Sequence, residues 1–308
     1  MTYSILALDP EAGEIGVAVQ SHFFAVGSCV PWAQAGVGVV ASQSIVEPAY
    51  GVRGLSLMAQ GRSPQQVLDS LLADDAGAPT RQVAMLGVSG AGATHTGPGC
   101  IGHAGHCVRQ HSRTQANLVA APQVWTAMAE EFEGAAGSLA QRLLAALRAG
   151  EAQGGDLRGQ QAAALKVVRT VATGDLNADV VVDLRVDDAD RPLDELDRLL
   201  TASQTLAGLL RLLQTPGLLI GEFAVAEETL TDALGELDRA QTLAGVSNAE
   251  PTVWKGLLLA RAGRTDAARS CFASAGRVNP RTAELLRRLA AAGMWTRDPA
   301  ELETLLPP

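Results

Sequence analysis

Two short runs near the start of the chain, Tyr3 to Leu8 and Ile15 to Gln20, limit the choice of fold more than any other feature. Each is apolar on successive residues rather than on alternate ones, so a strand made from either must be covered on both faces. The connector Asp9-Pro10-Glu11-Ala12-Gly13-Glu14 is punctuated by proline and glycine, which predicts a hairpin with a longer loop. A hairpin of this kind needs a packed layer on each side of its sheet.

The chain as far as Pro192 repeats the theme. A Val- and Gly-rich strand is predicted over 36–43, and a helical stretch over 50–72 with a break at Gly61-Arg62-Ser63-Pro64. There Ser63 is placed to cap a second helix and Pro64 to occupy its first position. Further strands are predicted at 82–88, 92–95 and 116–120, with a glycine- and histidine-rich loop at 96–113. After Pro122, the residues Val124, Met128, Phe132, Leu139, Leu143 and Leu147 follow a helical period and predict one long helix. A last antiparallel pair is expected at 162–168 and 180–186, joined through Thr173-Gly174-Asp175. Sequential hairpins alternating with helices make the sheets antiparallel, in neither a Rossmann nor a barrel order.

Composition changes after Pro192: glycine thins and Leu and Ala take over. A domain over 1–195 followed by a helical region over 196–308 is therefore expected. Leu193 to Leu213 reads as one helix, ended by Pro216-Gly217. Beyond it, Gly256, Ala268, Phe272, Ala275 and Pro280 stand at intervals resembling the tetratricopeptide helix-turn-helix repeat, with Gly263 in the turn. Ala233, Leu237 and Ala240 repeat part of that spacing one residue out of phase. An ordinary Ala-rich helical hairpin is the alternative, because such repeats are usually stable only in arrays.

A formal net charge of −9 and the lack of any basic run argue against nucleic acid or an anionic membrane surface as a partner. No apolar stretch approaches the roughly 20 residues that span a bilayer. Asp9 and Glu11 come too early for the layout of a signal peptide. Cys29, Cys100, Cys107 and Cys271 are scattered without a C-x-x-C spacing and read as reduced thiols. A cytoplasmic location is expected.

Several segments of the first region then combine. They are Thr2-Tyr3-Ser4-Ile5, Gly16-Val17-Ala18-Val19-Gln20-Ser21, Phe23-Phe24-Ala25-Val26-Gly27, His95-Thr96-Gly97 and Ala104-Gly105-His106. Gln115-Ala116-Asn117, Gly155-Asp156, Arg158-Gly159-Gln160-Gln161 and the run Val182 to Asp188 follow in order. This series resembles the bacterial family known as domain of unknown function 1028, from residue 2 to about 200. The resemblance implies the fold of the N-terminal-nucleophile hydrolases, an α+β four-layer αββα sandwich of antiparallel sheets, and by analogy an amide-bond hydrolase. Ala116 and Ala162 depart from the glycine and serine usual in the family.

Thr2 is the leading chemical candidate. An internal threonine hydroxyl has no base beside it, whereas a threonine at a free N-terminus has its own α-amine, with a pKa of about 7.7–8.0. Removal of Met1 would expose that amine; otherwise Thr2 is an ordinary strand start. Asn117 and Gln115 carry amides suited to a developing oxyanion, or to capping the loop before them. Asp156 and Arg158 are suited to orienting the amine and holding a substrate carboxylate, or to a local ion pair in a turn. Ser21, His22, Gln43 and His95 are further candidates for lining the same pocket. The loop from His95 to His111 also holds His103, His106, Cys100 and Cys107, a set suited to zinc but in no closed zinc spacing.

The reading from sequence is a hydrolase of a small-molecule or peptide-like amide, without a cofactor and forming a homo-oligomer. The alternatives are a non-catalytic scaffold whose helical tail recruits a protein partner, and a metal site on the 95–111 loop.

Overall fold

In the computed structural model, residues 2–295 and 298–306 are described, with residues 206 and 207 described by their backbone only. The chain divides into two compact units, one ending at Leu200 and the other beginning at Thr201.

The first unit holds ten strands in two antiparallel sheets. β1 (Thr2–Asp9) and β2 (Glu14–Ser21) form the expected hairpin at the centre of the larger sheet. Around them stand β7 (Gly105–Val108), β8 (Ser112–Asn117), β9 (Ala162–Arg169) and β10 (Val180–Val186), in the order β10-β9-β2-β1-β8-β7. The smaller sheet runs β3-β4-β5-β6, from β3 (Pro31–Gln34), β4 (Gly38–Ser44), β5 (Arg81–Gly87) and β6 (Gly92–Thr96). Helices α1 (Ala49–Ala59) and α2 (Pro64–Ala73) cover the smaller sheet through Tyr50, Leu68 and Met85. Helices α3 (Val124–Gly134) and α4 (Leu139–Ala152) cover the larger one through Tyr3, Ile5, Met128 and Leu143. A short helix, α5 (Leu176–Asp179), precedes β10.

Strand alternation explains why the first runs are apolar throughout. Tyr3, Ile5 and Ala7 join the core with α3 and α4, while Leu6 and Leu8 join a second core with Val39 and Leu86 of the smaller sheet. Thr2 and Ser4 have the same parity as Leu6 and Leu8. The layer between the sheets is therefore apolar at one end and polar at the other.

Three expectations need correction. The helix predicted after Pro122 is two helices, because Gly137 takes a left-handed φ of +106° and Ser138 starts α4 with a capping box, its side chain accepting from Gln141 N. The strand predicted at 116–120 is Ser112–Asn117; its polar residues Thr114 and Gln115 are fully buried, so hydropathy places it too late. The strands β3 and β7 were not predicted at all. Each has four residues, too short for a period to register.

The helical tail begins within α6 (Pro192–Gln214), whose first residues Leu193, Leu196 and Leu200 belong to the first unit's core. There follow α7 (Glu227–Ala244), α8 (Glu250–Arg261), α9 (Thr265–Val278), α10 (Thr282–Leu289) and α11 (Pro299–Leu305). Leu237, Trp254, Leu257, Phe272 and Leu286 share one core. Gly256 lets α9 come close: a Cβ there would stand 2.5 Å from the Phe272 ring. Among the described residues, no helix is long and apolar enough to cross a membrane.

Two stability predictions concern the first unit. Ser138→Ala removes the capping acceptor at an exposed helix start and is expected to cost about 1 kcal/mol in chemical unfolding. Asp75, after α2, accepts from Arg81 Nε at 2.7 Å, Gly77 N at 2.8 Å and Tyr50 Oη at 3.0 Å. Arg81 foremost holds its carboxyl down at about 2. That lies below the unfolded value of about 3.9, so the contribution is complete above about pH 4 and fades as pH falls to about 2. In acid titrations of unfolding, Asp75→Asn should be less stable above that window and flatter within it.

Candidate active site: a buried amide cluster under an apolar cleft

The polar end of the inter-sheet layer is built by residues at the ends of five strands. Thr2 pairs in register with Asn117 of β8, and Ser21 ends β2. From the smaller sheet, Gln43 of β4 pairs with Gln82 of β5. All are buried, and a buried amide left without a partner costs about 1–3 kcal/mol.

They satisfy one another. The Gln82 oxygen accepts from Gln43 Nε2 at 2.8 Å and from Asn117 Nδ2 at 3.0 Å. The Gln82 amide nitrogen donates to Ala116 O, Gly105 O and Thr96 Oγ1 at 2.9, 3.1 and 3.1 Å. With their orientation set by Gln82, Gln43 and Asn117 also donate to the backbone carbonyl of Thr2, at 3.1 and 3.4 Å. Below them Ser4 Oγ donates to Gln43 Oε1 at 2.7 Å, and Gln115 Nε2 donates to Ser4 Oγ at 3.2 Å. The Thr2 hydroxyl lies 3.0 Å from that of Ser21.

Beside this cluster stands a second. The Asp156 carboxylate, its side chain fully buried, accepts from His22 N at 2.9 Å and from Arg158 N at 2.8 Å, and pairs with the Arg158 guanidinium at 3.2 Å. The His22 ring contacts Gln160 O at 3.2 Å.

Above Thr2 opens a cleft of about 280 Å³. Thr2, Gln43, Asn117 and Arg158 contribute its polar lining; Val26, Cys29, Val30 and Val46 are part of its apolar wall. Phe23, Ile45 and Ile101 line it too, although each remains at least half exposed. Burial pushes the Cys29 thiol pKa up, so it stays protonated near neutrality. Two lining residues, Ser44 (φ 72°) and Leu118 (φ 51°), have left-handed backbone, a conformation that costs a non-glycine residue about 1–2 kcal/mol. Leu118 N donates to Ile101 O at 2.8 Å, which ties the 97–104 loop to the end of β8.

Of the residues singled out by sequence, Thr2, Ser21, Gln43, Gln115 and Asn117 share the first cluster, and Asp156, Arg158 and His22 form the second. Gln115 lies beneath the cleft rather than on it. His95 stands apart, its ring nitrogen 3.0 Å from Ala78 O, and is not in the cleft wall. Met1 lies outside the described residues. Ala116 and Ala162 do not line the cleft either; each is packed into a core. Sequence reasoning missed Gln82, Ser4, Ser44 and Leu118.

Several candidate metal ligands of the 95–111 loop have partners within the protein. Among the described residues, no three His, Cys, Asp or Glu side chains converge to hold an ion. His106 Nδ1 instead meets Thr96 Oγ1 at 2.9 Å, and Cys100 Sγ meets Arg81 O at 3.3 Å. Burial, with His95 nearby, lowers the pKa of His106.

The fold and site define a mixed α+β domain of two antiparallel sheets with a polar cluster enclosed at one end. The chain belongs to the Family of unknown function (DUF1028), whose model matches residues 2–196. It is similar to the crystal structure of protein SPO2555 from Silicibacter pomeroyi, of the same family, with 29% identity and a TM-score of 0.60 over 66% of this chain and 89% of that one. No curated protein matches.

Gln82→Leu tests the hub. It strands the Gln43 and Asn117 donors and three acceptors, and is expected to cost roughly 2–4 kcal/mol in chemical unfolding. A loss below about 0.5 kcal/mol, within the range of an ordinary surface substitution, would show that the cluster is not bonded as described.

Proposed function

We propose that this chain is an amide-bond hydrolase of the N-terminal-nucleophile type, with Thr2 Oγ1 as the attacking atom. The observation that carries the reading is the setting of Thr2: first residue of a buried strand, part of the cleft lining, carbonyl clamped by two amides. The packing order of helices, sheet, sheet and helices supports reading the first unit as a four-layer αββα sandwich, in line with that class.

In this mechanism Met1 is removed and the neutral α-amine of Thr2 takes the hydroxyl proton as Oγ1 attacks the substrate carbonyl carbon. The C–N bond of the resulting tetrahedral adduct breaks, and the ammonium returns the proton to the departing amine. A water then attacks the Thr2 ester, with the same amine as base, and releases the acid. Asn117 Nδ2 has the longer of the two bonds to the Thr2 carbonyl, 3.4 Å, and is the donor most readily turned to an oxyanion. Ser21, at 3.0 Å, fixes the direction of the hydroxyl. Asp156 orders the backbone at His22 and Arg158, and so the rim of the cleft.

A non-catalytic binding scaffold is the second reading, favoured by the commitment of Asn117 and Gln43 to Gln82 and Thr2. In either case the hairpin of α8 and α9, with Gly256 against Phe272, is read as a tetratricopeptide-like unit that recruits a protein partner.

Peptide mass of the purified N-terminus, together with turnover of a panel of small amides, separates the two readings. The hydrolase should begin at Thr2, and Thr2→Ala should lose at least about a thousandfold in kcat. Intact Met1 in active protein, or unchanged turnover by Thr2→Ala, would overturn the mechanism.

A further inference from the structure

The cleft wall carries information about the substrate that the nucleophile does not. Arg158 is the one charged side chain among the described residues lining it, and no carboxylate faces it. Asp156, the partner of Arg158, has a fully buried side chain and is not in the wall. Of the pair only the guanidinium is in the wall, so the charged group a ligand meets there is a cation. Besides the polar side chains of Thr2, Gln43, Ser44 and Asn117, the wall is apolar, with Val26, Val30 and Val46 beside the Cys29 thiol and the ring of Phe23.

Space sets a second limit. At about 30 Å³ per small group, the share of one water in the liquid, the cleft of about 280 Å³ has room for roughly nine non-hydrogen atoms. That holds a compact aliphatic acyl group with its amide and is too little for a long acyl chain, so a leaving group larger than ammonia extends beyond the cleft.

We propose that the substrate is an N-acyl amide whose acyl part is a short aliphatic group without an ammonium, and that the cleft rejects α-aminoacyl amides, including peptides with a free N-terminus. This rests on the reading of the cleft at Thr2 as the reacting site. The physical reason is desolvation: an ammonium buried against valines and a guanidinium finds no counter-charge, whereas a methylene in the same place gains from leaving water. Each buried methylene is worth about 0.8 kcal/mol, or about fourfold at about 1.36 kcal/mol per tenfold.

A matched pair gives the test, because 4-methylpentanamide is leucinamide without its amine. Ligand-observed NMR titrations of the purified full chain at pH 6, where an α-amine of pKa about 7.7–8.0 is charged, compare their binding. The expected result is at least about tenfold tighter binding of 4-methylpentanamide. Equal or tighter binding of leucinamide, or no binding of either amide, would overturn the proposal.

Val46→Asp places a carboxylate in the wall at a half-buried position. It should shift the ratio toward leucinamide, and an unchanged ratio in a folded variant counts against this cleft as the binding site.

The 4-nitroanilides of acetic, butyric and 4-methylpentanoic acids and of leucine supply the kinetic arm. kcat/KM should rise about fourfold per added methylene and fall at least about tenfold for the leucyl compound. If the amide binding preference holds but no anilide turns over, the nucleophile reading fails and the subsite stands. If the anilides turn over without preference, the subsite assignment fails and the nucleophile reading stands.

Discussion

Buried amides at the end of an apolar layer must find partners within that layer. Gln43, Gln82, Gln115 and Asn117 are all buried between the two sheets, and only the Gln115 oxygen among the atoms of this set is a buried atom left without a partner. Gln82 resolves most of the demand, accepting with one atom from two neighbouring amides and donating with the other to three oxygens. The orientation of that single side chain turns the Gln43 and Asn117 donors toward the backbone of Thr2. The precision of the cleft floor thus comes from hydrogen-bond closure in a low-dielectric interior, where an unmade bond is most costly.

The same constraint separates two roles that residue type alone would merge. Asn117 lines the cleft, while Gln115, two residues before it on the same face of β8, is one layer deeper and bonded to Ser4. Asp156 and Arg158 form a local ion pair, yet the carboxylate also holds the backbone of His22, 134 residues away in sequence, and so joins the end of β2 to the loop before β9. Cys29 adds a thiol to the wall, and burial pushes its pKa up.

Much of the fold was legible because its signals are local. Continuous apolar runs required two-sided burial of β1 and β2, and Ser63 with Pro64 marked the start of α2. What escaped was short or non-local. The left-handed Gly137 broke a periodic pattern into α3 and α4, and four-residue strands carried too few positions to show a period. The site was legible in part for a related reason. Thr2, Gln43, Gln82 and Asn117 each occupy an inward-parity position at the end of a strand, so the signal for Gln82 was present in the alternation Gln82, Ala84, Leu86. Its pairing with Gln43, and theirs with the larger sheet, depends on how the two sheets face each other, which no single run of residues encodes.

The central claim is that Thr2 Oγ1 is the nucleophile of this cleft. Peptide mapping by tandem mass spectrometry, after brief exposure of the full chain to a short aliphatic β-lactone and an acid quench, tests it most directly, because ring opening leaves an acyl ester on the attacking oxygen and acid protonates the amine that would help water remove it. The account predicts one adduct, on Thr2 at a processed N-terminus, blocked by prior incubation with 4-methylpentanamide. An adduct on Ser21 or Cys29 instead, or unmodified Thr2 under conditions that acylate surface nucleophiles, would contradict it.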